Sequence, residues 1–369
     1  MVINQLISSV VYPGKDIEIL ENEWEQLLNV STRPSIYSSY NYIQLSLKHF
    51  SDQEIHVFFI IIRDKKANEL LAVFPMSIET RDCFKKEVKV LQHAITTHNS
   101  DVDKPYPIIH KMFEKECWLE FKKCISAQPI YWDWLEYDEL IPESILFEKI
   151  SSVFSMPKYF TRQLVGPTSP IVDLRVTPKE FVEQHRNMRR KRKTVLNKFG
   201  ENYRYKIYNK ASDMDYCLKQ YINVELGSWK ANVGVSEPDG TLFYKELLPL
   251  LAEQNAVYIG ILYDGKTPVS AEISYCYSNV VYFALGCYRD NYAELSPGSV
   301  STSLFIEYFL DKDVSSGDFL AGFADYMNPL ANKIEQTKNT VVYRINRMFI
   351  YFVYKTIVNK FIKLILGRK

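Results

Sequence analysis

The chain has 369 residues, with 45 Lys or Arg against 44 Asp or Glu and a formal net charge of +1. That balance excludes a whole-molecule pull toward nucleic acid or another polyanion. An apolar content of 47% with 24% charged residues is that of an ordinary soluble globular protein, and the length predicts two domains rather than one core.

The N-terminal MVINQLISSVVYPGKD lacks a basic region followed by an apolar run, so no secretory leader is expected. Residues 17–50 give two helical patterns, IEILENEWEQLL and SYNYIQLSLKHF, separated by NVSTRPS. IHVFFIIIRD and LLAVFPMSIETR predict a hairpin, which KEVKVLQHA extends. The polar loop TTHNSDVDKPYP then leads to the helix KMFEKECWLEFKKCIS, the strand IYWDWLEYDE, the helix PESILFEKISSVF and the extended YFTRQLV.

GPTSP at 166–170 reads as a break, because two prolines and a glycine continue neither regular element. It sets the expected division into residues 1–166 and 167–369. Thr177-Pro178-Lys179-Glu180 reads as a capping box opening a helix to about Phe199. The strand YRYKIYNK follows, then the helix DMDYCLKQYINVELGSWK, a turn at Pro238-Asp239-Gly240 and the helix TLFYKELLPLLAEQ. VYIGILY and TPVSAEISYCY form a hairpin about Asp264-Gly265. Ser278-Asn279 turns into the strand VVYFALGCY, Ser296-Pro297-Gly298 opens a helix, and GDFLAG is a short strand. DYMNPLANKIEQ is expected as a helix, NTVVYRIN as a strand and the remainder as an apolar, basic helix.

The two halves repeat one order of elements at a period of about 170 residues, which predicts a duplicated domain in a mixed α/β fold. They differ before the helix that follows the connecting loop. The second half has Ser-Pro-Gly, where a helix N-terminus presents unpaired N–H groups to an anion. The first half has two aspartates and no glycine there, which disfavours a phosphate. The six cysteines have neither CxxC nor Cys/His metal spacing, so no metal is expected and reduced, half-buried thiols are.

The segment Asn187-Met188-Arg189-Arg190-Lys191-Arg192, the triplet Ser228-Trp229-Lys230, the Ser296-Pro297-Gly298 turn, and Asp318-Phe319-Leu320-x-Gly322 followed by Tyr326 together resemble a known family. It is the tandem GNAT fold of FemAB-like and CelD-like acyltransferases, and the likeness covers nearly the whole chain. The lysine usual after that tyrosine is Met327 here, so its role does not carry over. The resemblance implies two GNAT-like domains with an active-site cleft between them, and an acyl thioester entering between VVYFALGCY and GDFLAG. The implied carrier contacts are Leu285, Cys287, Tyr288, Ser296, Pro297, Gly298, Ser299 and Val300. Among relatives it is similar to N-acyltransferases, including 3-hydroxybutanoyl transferases, that act on a nucleotide-linked amino sugar. The co-substrate is then acyl-coenzyme A or an acyl carrier protein, with no permanently bound cofactor. A FemAB-like transfer from aminoacyl-tRNA and a non-catalytic module of a polysaccharide assembly complex are the alternatives.

Direct transfer requires an oxyanion donor, expected from a backbone N–H within Ala284–Cys287, and a base within reach of the amine. Asp318 or Glu225 is the expected base and Tyr326 the proton donor to the thiolate. Asp318 as a turn cap, Tyr326 as a core tyrosine and Glu272 as a solvent-facing residue are the structural alternatives. Lys230 is expected at the substrate, and Trp229 either there or as packing in the core or cleft wall. His98, Asn99, Asp101 and Asp103 form a loop expected either to orient the acceptor or to be an ordinary turn. His93 and His56 are expected to be structural. Arg189 and Arg190, in a helix with seven basic residues and no acid, are expected on a solvated face or on acceptor phosphates.

Residues 336–369 hold eight Lys or Arg and no acid, too short and charged a stretch to span a bilayer. It is expected to dock on its own domain or on a twin subunit as a homodimer, with peripheral membrane contact through residues 345–369 as the alternative. A cytoplasmic protein without nucleic-acid partners is expected.

Overall fold

The computed structural model describes residues 5–50, 55–95, 102–127, 130–140, 150–231, 234–321 and 328–365. The first half gives β1 (Leu6–Val11), α1 (Lys15–Glu18), α2 (Glu21–Asn29), α3 (Tyr40–Phe50), β2 (His56–Asp64), β3 (Leu70–Asp82) and β4 (Glu87–His93). It continues with β5 (Ile108–Ile109), α4 (Glu114–Ser126), β6 (Trp134–Leu140) and β7 (Tyr159–Asp173). The second half gives α5 (Pro178–Gln184), α6 (Arg186–Phe199), β8 (Tyr203–Tyr208), α7 (Met214–Glu225), α8 (Pro238–Glu253), β9 (Val257–Asp264) and β10 (Thr267–Tyr277). There follow β11 (Val280–Tyr288), α9 (Pro297–Leu310), β12 (Ser316–Asp318), β13 (Lys333–Arg344) and α10 (Arg347–Ile365). The fold is mixed α/β.

The strands form one continuous sheet in the order β1-β2-β3-β4-β6-β13-β7-β12-β11-β10-β9-β8, with β5 paired to β3 at its side. Each half contributes an antiparallel meander ending in one parallel pair, β4 with β6 and β11 with β12. The duplication read from sequence is visible in that arrangement. The last strand of each half crosses over. β7 pairs with β12 of the second half, and β13 inserts between β7 and β6 of the first.

Consequently the expected division at residue 166 falls inside a strand. GPTSP does not break β7, because Gly166 and Pro167 sit at a bulge where both face Thr337 of β13. There the Thr337 hydroxyl donates to the Pro167 carbonyl at 2.6 Å, and the Gln336 amide to that of Gly166 at 2.6 Å. A Cβ on Gly166 would lie 2.5 Å from the Thr337 hydroxyl oxygen, so glycine is required for this approach.

Other expectations are corrected. The capping box at Thr177 and Glu180 is present, but the helix breaks at His185, whose φ of −113° and ψ of 49° are not helical. Pro238-Asp239-Gly240 is the first turn of α8, with Pro238 at the first helical position, rather than a turn before it. The expected helix DYMNPLANKIEQ is instead a 3-10 turn at Asn328–Leu330 followed by β13, because pairing with β7 and β6 on both sides outweighs local propensity. Strand β1, which pairs with β2, was not anticipated. Most of the expected helix at 142–154 lies outside the described residues.

Helices α3 and α8 close the two halves over one shared core. Tyr42 packs edge-on to Phe243, and Lys48 pairs with Glu246 on the rim. Tyr37 of the first half packs edge-on to Tyr275 and Tyr282 of β10 and β11. These rings account for part of the high aromatic content.

Candidate active site

The parallel contact of β11 with β12 is short, running from Val280–Tyr282 against Ser316–Asp318. Beyond it β11 carries a bulge at Ala284: Ile273 faces Leu285 while the next residue, Ser274, faces Phe283. The strands therefore part after Tyr282 and Asp318, so among the described residues β12 provides no ladder partner for 284–287. This is the opening expected between the two segments.

On one face of the sheet, α9 begins next to this opening. Ser296 has φ 51° and ψ 50°, and Pro297 is the first helical residue, so the first-turn N–H groups of Gly298 and Ser299 have no intrahelical acceptor. Lys191 of α6 reaches the Ser299 hydroxyl at 3.3 Å, and Arg192 donates to Ser303 at 2.9 Å while pairing with Glu307 at 2.6 Å. Lys191 thus flanks a helix N-terminus suited to an anion, while Arg192, neutralised by Glu307, ties α6 to α9 further along the helix. A Cβ on Gly298 would sit 3.1 Å from the Tyr288 ring, which places Tyr288 against this turn. Cys287 points the other way, into the core against Tyr221, and burial pushes its thiol up to about 12.

Beneath α9 lies Glu272. It is not on an edge strand facing solvent but on β10, between β9 and β11, and it is 7% exposed. It lies opposite Gly286, where a Cβ would meet its Cγ at 3.6 Å, and opposite Gly260, over which the Tyr205 hydroxyl packs. The Ser301 hydroxyl donates to one of its oxygens, and the other meets the hydroxyl of Thr302, whose single proton is shared between this contact and the Gly298 carbonyl at 3.0 Å. Burial raises its carboxyl to about 8, against the smaller opposing pull of the two hydroxyls.

On the opposite face, a cavity of about 420 Å³ lies between the halves. Arg33, Asp103 and Lys104 from the first half and Tyr282, Asp318 and Leu320 from the second line it. Asp318 pairs with Lys104 at 2.5 Å and accepts from the Ser169 hydroxyl at 2.6 Å and the Leu320 N–H at 2.8 Å. Both partners are buried. Its neighbour Asp103 accepts from the Ala321 N–H at 2.5 Å. Burial first, then the nearby Glu139 carboxylate, holds the Asp103 carboxyl well above the ordinary range, with Lys104 opposing. Burial, with Asp318 adding to it, likewise raises the Tyr282 phenol. Arg33 stacks over the Tyr106 ring at 5.6 Å.

The sequence-derived residues divide accordingly. Asp318 lines the cavity. Glu225 is buried elsewhere and accepts from the Ser236 N–H at 2.6 Å, holding the turn at 234–236. Trp229 is 73% exposed rather than packed in a core, and Lys230 donates to the Gly286 carbonyl of β11 at 3.0 Å. Arg189 and Arg190 are exposed on α6 and do not line the cavity. The loop of the first half does reach across, through Asp103 and Lys104. His98, Asn99, Asp101 and Tyr326 lie outside the described residues. His93 is buried and held neutral by desolvation, with its pKa lowered to about 3; His56 is exposed at the start of β2. Lys104, Glu139 and Arg33 were not singled out by the sequence, whereas Lys191 was named in the basic segment. The cysteines are free, and among the described residues no group of three or more His, Cys, Asp or Glu is placed to hold a metal.

Residues 183–327, which contain the opening, α9 and its flanking Lys191, match the acetyltransferase (GNAT) domain family. The chain thus carries a GNAT-type acetyltransferase domain in its second half, and it is an acyltransferase. Among curated proteins, none matches the sequence significantly. FemX is similar in structure at 7% identity and a TM-score of 0.58, over 94% of this chain and 99% of FemX. L-PGS from Bacillus licheniformis is similar at 12% identity and a TM-score of 0.50, over 90% and 94%. A conserved protein of unknown function from Bacteroides thetaiotaomicron is similar at 9% identity and 0.52, over 90% and 100%. These likenesses establish a shared fold that spans both halves of the chain.

Proposed function

We propose that the acyltransferase moves a short acyl group from an acyl-coenzyme A or acyl carrier protein thioester to the amino group of a nucleotide-linked amino sugar, by direct attack. The observation that carries this reading is the opening between β11 and β12. It is flanked by the α9 N-terminus and Lys191 on one face and, through Tyr282, Asp318 and Leu320, by the inter-half cavity on the other. The carrier phosphates sit on the N–H groups of Gly298 and Ser299 near Lys191. The thioester carbonyl meets an N–H of the bulged segment 284–287, which stabilises the oxyanion of the tetrahedral intermediate. The amine attacks from the cavity, whose volume suits a sugar-sized acceptor.

The lost amine proton needs a carboxylate. Asp318 is engaged by three donors and serves by positioning Lys104 and the segment after β12. Asp103, which lines the cavity and whose carboxyl is raised by burial, is the better placed acceptor. Release of free thiol from acyl-coenzyme A in the presence of a panel of nucleotide-linked amino sugars tests the reading. Gly298→Glu should abolish release, because it puts bulk and negative charge on the anion seat. No release across the panel, with no thermal shift by coenzyme A, refutes it.

A second reading is transfer from aminoacyl-tRNA, as in the alternative drawn from sequence. It is favoured by the exposed Arg186, Arg189, Arg190, Lys193 and Lys198 of α6, the helix whose Lys191 touches the carrier turn. Strongly salt-dependent binding of RNA supports it, and no measurable RNA binding at low salt rejects it.

A further inference from the structure

Helix α10 is docked by one side only. Met348, Phe349 and Phe352 pack on Trp134, Val341 and Tyr343, and the Tyr351 hydroxyl donates to the Phe84 carbonyl at 3.0 Å. The opposite side carries an apolar stripe at helical spacing. Ile350 is 63% exposed, Val353 37%, Tyr354 60% and Ile357 49%. Exposed Phe160 and Leu164 of β7 extend it, since Phe160 packs against Phe349. Arg162 stands exposed between them.

We propose that this face rests on an anionic bilayer surface, with the stripe in the interface and the basic residues among the headgroups. The charge pattern selects that occupant. Residues 336–369 hold eight Lys or Arg and no acid. A second copy docked through the same face would oppose two acid-free basic segments, whereas anionic headgroups complement them. Among the described residues no helix is long and apolar enough to cross a membrane, so the contact lies in the plane of the interface.

The test is co-sedimentation of the full chain with phosphatidylcholine vesicles, with and without phosphatidylglycerol, at two salt concentrations. The chain is expected to sediment with phosphatidylglycerol vesicles, less with phosphatidylcholine alone, and less at high salt. The double variant Ile350→Glu, Ile357→Glu is expected to weaken binding by about tenfold or more at unchanged thermal melting, as two apolar side chains leave the interface. Ile350→Ser with Ile357→Ser replaces it if the glutamates lower the melt. Two results overturn the proposal: no sedimentation with either vesicle, or vesicle binding that the variants leave intact. Sedimentation velocity supplies a third, a dimer that the variants dissociate, which would assign the stripe to a second copy.

Discussion

Replacing Glu272 by glutamine isolates the energetic consequence of a carboxyl group sealed beneath the helix that seats the carrier. In the folded chain this group titrates at about 8 instead of 4.5, because burial disfavours its charged form. Between those pH values the folded state holds a proton that the unfolded state has released. Stability is therefore fully present below about 4.5 and is lost as pH rises through about 8. At about 1.4 kcal/mol per pH unit the loss is on the order of 5 kcal/mol, a large part of the stability of a typical protein. Glutamine keeps the shape and the contacts with Ser301 and Thr302 but cannot ionise. Urea unfolding of both proteins at intervals from pH 5 to 9 gives the comparison, and every other titrating group cancels in the difference. The variant is expected to match or fall slightly below the parent at pH 5 and to exceed it progressively toward pH 8. Parallel stability curves, with a constant difference across the range, would refute the argument that Glu272 is buried neutral.

Lys104→Met removes one partner of a buried pair and leaves Asp318 without its counter-charge. The expected destabilisation is about 3–5 kcal/mol by urea unfolding, and an unchanged midpoint would show the pair to be idle. The raised Asp103 carboxyl also makes stability fall as pH climbs from about 4 to about 8, so Asp103→Asn should flatten a melting-temperature profile across that range. Identical slopes in parent and variant count against a buried, proton-holding Asp103. Trp229→Ala, at a side chain 73% exposed, should change stability by less than about 0.5 kcal/mol. A loss of kcat/KM without a loss of stability would then assign Trp229 to substrate contact.

The sequence by itself determined the local elements and the asymmetry between the halves. Hydrophobic alternation marks β9, β10 and β11, the capping box marks Thr177, and Ser296-Pro297-Gly298 marks the start of α9. Each signal depends on neighbours within one turn or one strand. What lay between the halves was decided only in tertiary structure. The exchange of β7 and β13 is invisible locally: GPTSP reads as a break and KIEQ as helix until Thr337 meets Pro167 across the ladder. The partner of Asp318 is 214 residues away, and no spacing rule links it to Lys104. Glu272 reads as one polar residue in an apolar strand. Only the packing of α9, with glycines on both neighbouring strands, turns it into a neutral acid beneath the carrier seat, because burial is a property of the assembled layers and not of the strand.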